Sequence, residues 1–141
     1  MKRLIQAIIV ITILISGMSN IFASEQDVKS TVNQYLNAVN DKEASLVDNL
    51  SNDETTFTMI NSIIGKTETL SEKDYLQFVE EGKAGAWVTN SDVQFVNFQD
   101  NLAVALVEFV GKSLVRKEYL TLVMTDGKWE IINSVSSLSK K

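Results

Sequence analysis

The chain contains no cysteine, no histidine and no proline. Without cysteine there is no disulfide, no thiolate zinc site, no thiol nucleophile and no lipid-bearing cysteine. Without histidine there is no imidazole base, which removes the common Ser-His and His-metal chemistries. Without proline there is no cis-proline turn. Positive charge is also scarce: 13 Lys and Arg stand against 18 Asp and Glu, a formal net charge of −5. The basic pairs Arg116-Lys117 and Lys140-Lys141 read as solvated charge, so nucleic acid and anionic lipid surfaces are not expected partners. Glu80-Glu81 and Asp53-Glu54 read as solvated pairs too, and no metal or cofactor is expected.

The 141 residues suit one domain, and a 45% hydrophobic, 22% charged composition suits a packed core. Residues 1–23 have a different character. Lys2 and Arg3 precede an apolar run from Leu4 to Ile15, and Ile21-Phe22-Ala23 supplies a small residue at a cut. This is the layout of a secretory signal peptide cleaved after Ala23. The run of about 12 residues falls short of the roughly 20 that a spanning helix needs. The expected product is an exported domain over residues 24–141, free of the membrane once the segment is removed.

In that domain, Val28, Val32, Tyr35, Leu36 and Val39 form a helical stripe within Gln26 to Asn40, with Ser24 as cap. A short second helix is expected after Asp41 as cap, with Ala44, Val47 and Leu50 buried. Thr55 to Ile60 reads as a strand, and Ile63-Ile64-Gly65 as the start of another. Ser71 caps a third helix with Asp74 at the capping-box position, and Gly82 and Gly85 end it. From Trp87 the period becomes two. Strands are expected over Val93 to Phe98, Leu102 to Val110, Leu114 to Thr125 and Lys128 to Val135, the last pair joined by Asp126-Gly127. Helices first and strands last indicate an α+β fold.

The Asp-Gly turn sets a register in which Leu120 faces Asn133 and Glu118 faces Val135, with Leu120, Leu122, Met124, Trp129 and Ile131 on the core face. A three-residue loop, Gly111 to Ser113, groups the apolar sets of the preceding hairpin and pairs Glu108 with Arg116. The core face then carries four polar groups: Glu108, Arg116, Glu118 and Asn133. They read either as rim charges or as the mouth of a pocket, within reach of Tyr35 on the first helix. Tyr35, Trp87 and Trp129 have an alternative role as core filler.

The segment from Glu118 to Asn133, with Tyr119 to Leu122, Asp126-Gly127, Trp129-Glu130-Ile131 and Asn133, resembles the terminal hairpin of the nuclear transport factor 2-like superfamily. More narrowly it resembles the putative lumazine-binding family. Tyr35-Leu36-Asn37, Leu70-Ser71 with Asp74-Tyr75-Leu76, and Leu102 to Ala105 extend the resemblance over about residues 26 to 136. The resemblance implies a cone-like barrel, with a curved antiparallel sheet wrapped around the long first helix, an apolar pocket and a homodimer through the open sheet face. Superfamily members include both enzymes, such as ketosteroid isomerase, and non-catalytic binders, so the fold leaves function open. In relatives with a pocket histidine near the last strand, that residue falls at Asn133, which moves no proton near neutral pH.

The expectation is a non-catalytic binder of a small apolar or heterocyclic ligand, with Tyr35, Arg116, Glu118, Trp129 and Asn133 as candidate ligand contacts. Two alternatives remain: an isomerase or dehydratase with Glu118 as base, and a scaffold binding a partner through Tyr119, Thr121, Val123 and Ile132.

Overall fold

The computed structural model describes residues 24–141, so the expected signal peptide, residues 1–23, lies outside the described part. Helix α1 (Glu25–Asn40) opens the fold, with a full capping box between Ser24 and Asp27. Its stripe of Val28, Val32, Tyr35, Leu36 and Val39 is buried, joined by Ala38. Helix α2 is Ala44–Leu50. Its cap position is Glu43, without a side-chain cap bond, and Asp41 instead closes α1, its amide donating to the Asn37 carbonyl. Strands β1 (Thr56–Asn61) and β2 (Lys66–Ser71) follow. Ile63-Ile64-Gly65 is the turn between them and not a strand, because Gly65 takes a φ of 67° there. Helix α3 (Glu72–Glu80) starts at the Ser71 cap, to whose hydroxyl the Asp74 amide donates. Gly82, at φ 76°, turns the chain just beyond its end.

Four long strands complete the chain: β3 (Val88–Gln99), β4 (Leu102–Gly111), β5 (Leu114–Thr125) and β6 (Lys128–Lys140). The curved sheet runs β2-β1-β6-β5-β4-β3. All neighbours are antiparallel except β1 and β6, which are parallel. α1 packs on β3, β6 and α2. The core between helices and sheet includes Phe57, Val107, Phe109, Leu120, Leu122, Trp129 and Ile131. The expected cone-like α+β architecture is the one observed.

Two registers differ from the sequence expectation. Between β4 and β5 only Lys112-Ser113 lie outside the strands, so Phe109 faces Arg116, and Glu108 faces Lys117 on the opposite surface. The shorter loop does not mix the faces: it puts Ala103, Ala105, Val107 and Phe109 inward together. Glu108 leaves the core face and pairs with Lys117 at 3.7 Å. Between β5 and β6, a bulge inserts Ile132: Leu122 faces Ile131, but Thr121 faces Asn133. Beyond it Leu120 faces Ser134 and Glu118 faces Ser136. Ser134 therefore turns inward and is buried, while Asn133 turns outward and donates to the Thr56 hydroxyl at 3.0 Å.

Candidate functional site

With these registers the concave face reads as rows across the sheet. One row is Leu70, Phe57, Ser134, Leu120 and Ala105. The next is Glu68, Met59, Ser136, Glu118 and Val107. The third is Lys66, Asn61, Leu138, Arg116 and Phe109. Polar and charged side chains thus enter the concave face at one end of the cone, where α3 and the chain after it cover the sheet.

Glu118 is the centre of the buried polar group. Its Oε1 accepts from the Tyr35 hydroxyl at 2.7 Å and from the Ser134 hydroxyl at 2.5 Å. Tyr35 has one proton and gives it to Glu118, so the Tyr75 hydroxyl, 2.7 Å away, donates to the Tyr35 oxygen. Burial, and then the nearby Glu118 carboxylate, push both tyrosine pKa values well above the ordinary range. Tyr75 is held flat against Phe57, with ring centroids 3.8 Å apart.

Arg116 lies beside this chain, 5% exposed. Nη1 donates to the Ala84 carbonyl at 2.6 Å, and the guanidinium sits 4.1 Å from the Phe109 ring centroid. Nη2 is 3.4 Å from Glu118 Oε2, an ion pair without hydrogen-bond alignment. Nε, Nη2 and Glu118 Oε2 have no hydrogen-bond partner. Burial, the largest single influence, would weaken the charge of Arg116, but Glu118, Tyr75 and Tyr35 together outweigh it and the pKa is raised.

A cavity of about 280 Å³ opens against Arg116. Its apolar wall is Met59, Ile60, Ile64, Phe78, Trp87 and Leu138. Its polar wall is Asn61, Lys66, Glu68, Lys83, Arg116 and Ser136. Apolar walls with a few placed polar groups are what small-ligand sites use. Among the described residues no three acidic side chains converge as a metal site.

The structure brings Tyr35, Glu118 and Arg116 together, and only Arg116 reaches the cavity wall. Trp129 is 4% exposed and pairs with Met124, six residues along β5 from Glu118, or roughly 20 Å by strand rise. It belongs to the core. Asn133 faces the other surface, for the bulge reason given above. The sequence reading missed Tyr75, Ser134, Phe78 and the serine-rich end of β6. Ser134 and Ser136, two residues apart on β6, are both buried on the concave face, where their small side chains leave room.

Three solved structures of similar fold are nuclear transport factor 2-like proteins of unknown function. The one from Shewanella baltica has a TM-score of 0.71 and 7% identity, covering 85% of this chain and 100% of that one. The one from Methylobacillus flagellatus has a TM-score of 0.69 and 20% identity, covering 85% and 98%. The one from Silicibacter pomeroyi has a TM-score of 0.68 and 16% identity, covering 81% and 94%. No curated protein matches the chain. The sequence profile of the putative lumazine-binding family matches residues 23–137. Profile match, helix-lined cone and sheet order agree, and the chain belongs to the putative lumazine-binding family of the nuclear transport factor 2-like superfamily.

Proposed function

We propose that the chain is an exported, non-catalytic domain that binds a small apolar or heterocyclic ligand in the cavity beside Arg116. The observation that carries this reading is the cavity itself: about 280 Å³, half apolar in its lining, with one buried cation in its wall. The enclosure of Glu118, the base that the enzyme reading names, supports a non-catalytic role. Glu118 is 1% exposed, and its Oε1 already accepts two hydrogen bonds. It is not among the residues that line the cavity. A general base must reach the proton it removes.

The outer sheet face supports pairing of two copies. Phe95, Leu102, Tyr119 and Val135 are 44%, 51%, 50% and 37% exposed, and Phe95, Leu106, Tyr119 and Val135 form one row across four strands. A contiguous apolar face of this kind is normally covered. Export rests on residues 1–23 and their signal-peptide layout.

Native mass spectrometry of the full chain, expressed with residues 1–23 in a bacterial envelope, tests these points together. The expected species is a dimer that has lost residues 1–23 and carries a small-molecule mass. An uncleaved monomer with nothing bound, and unable to take up any apolar probe, would overturn the reading.

A further inference from the structure

The polar half of the cavity wall has a charge bias that runs against the whole chain. The chain is net −5, yet the wall presents three cations, Lys66, Lys83 and Arg116, against one carboxylate, Glu68. Lys66 shares Glu68 at 3.2 Å, and Lys83 pairs with Glu81, but both pairs are exposed and weakened by water. Arg116 differs from them. It is 95% buried by its 5% exposure, and its only hydrogen bond in the described residues is from Nη1 to the Ala84 carbonyl. Its contact with Glu118 is a long ion pair that leaves Nε and Nη2 unbonded. A buried guanidinium with free donors is under-satisfied, and an oxyanion supplies the missing acceptors in a geometry that its planar fork matches.

We propose that the occupant of this cavity is a small amphipathic organic anion, with a carboxylate head toward Arg116 and the rim lysines and an apolar body against Met59, Phe78, Trp87 and Leu138. This rests on the cavity being the ligand site. The apolar half of the wall fits a body that water rejects. The position of Arg116 in a row with Lys66, Asn61 and Leu138 sets the head at the polar end of the wall. A carboxylate suits the site better than a phosphate dianion, because one N–H of Arg116 is already committed to Ala84 and part of its charge to Glu118.

The test uses the domain from residue 24 onward as it leaves the envelope, with the uncharged dye Nile red as a cavity probe. Octanoate, octanol and octylamine, matched in chain length, compete with the dye near neutral pH. Octanoate should displace it at concentrations about tenfold lower than octanol or octylamine. Lys83→Gln, on an exposed side chain, should weaken octanoate about two- to fivefold and leave octanol unchanged. Arg116→Gln should abolish the preference if the variant retains its circular dichroism spectrum. Equal displacement by octanoate and octanol, unaffected by Lys83→Gln, would overturn the anionic head while leaving the cavity as a ligand site. Failure of Nile red and all three competitors to bind would overturn both.

Discussion

Tyr75, Tyr35 and Glu118 form a directed chain, in which each hydroxyl proton has one place to go. Tyr35 both accepts from Tyr75 and donates to Glu118, whereas Tyr75 only donates. Tyr35→Phe leaves a buried donor and a weakened carboxylate, and should cost about 1–3 kcal/mol in urea unfolding. Tyr75→Phe removes the end of the chain and should cost about 0.5–1.5 kcal/mol. The two changes should not add, since they share a bond. The raised tyrosine pKa values also set a pH dependence. Below about pH 10 both folded and unfolded chains keep these protons. Above it the unfolded chain releases them while the folded chain keeps them, so stability is lost as pH rises, by up to about 1.4 kcal/mol per pH unit per tyrosine. Unfolding free energies from pH 9 to 11 should fall, and fall less steeply in Tyr75→Phe. A flat profile would contradict the buried chain. At this scale the sequence was informative for Tyr35, Arg116 and Glu118, because helical and strand periodicity alone put them on buried faces. It was silent on Tyr75 as a partner, because its place depends on how α3 lies over β1.

Among the elements, the differences between expectation and structure trace to single backbone choices. α1 and α3 were legible through caps and stripes, α2 through its stripe but not its cap, and the β5–β6 hairpin through Asp126-Gly127. The bulge at Ile132 was not, because Ile131 and Ile132 are both apolar and either one serves an inward position. That one residue moved Asn133 out and brought Ser134 in. The β4–β5 turn failed for a related reason: alternation in Leu102 to Val110 is weak, so the apolar pattern did not decide between registers. The chain between α3 and β3 is fixed by close packing. A Cβ on Gly85 would lie 2.4 Å from the Val39 carbonyl oxygen in α1, a backbone atom with no room to move. Gly85→Ala should therefore destabilise by about 2 kcal/mol or more and shift the position of Trp87. Gly65→Ala meets nothing within 4 Å but keeps a φ of 67°, and should cost only about 1–2 kcal/mol. Thermal unfolding of the two variants checks the order, and the reverse order would contradict the packing of Gly85 on α1.

For the whole molecule, the cone has two surfaces of different chemistry. Its convex face carries Phe95 and Tyr119 edge to face at 6.2 Å, and the proposed dimer covers them. Tyr119→Asp places charges in that interface and should convert a dimer to a monomer in sedimentation equilibrium at micromolar concentration, with the fold intact. A wild-type monomer would remove the dimer from the account. Its concave face carries the cavity, whose wall draws on β1, β2, α3, β5, β6 and the chain between α3 and β3. The architecture was legible from periodicity and the family resemblance. The cavity was not, because no local pattern joins Met59 to Phe78, Trp87 and Arg116. The most direct test is Nile red titration of the wild type and Met59→Trp, a change at a half-buried wall position that fills the cavity from within. The account predicts at least about tenfold weaker binding with little change in melting temperature. Equal binding by both proteins would place the ligand elsewhere and contradict the central claim.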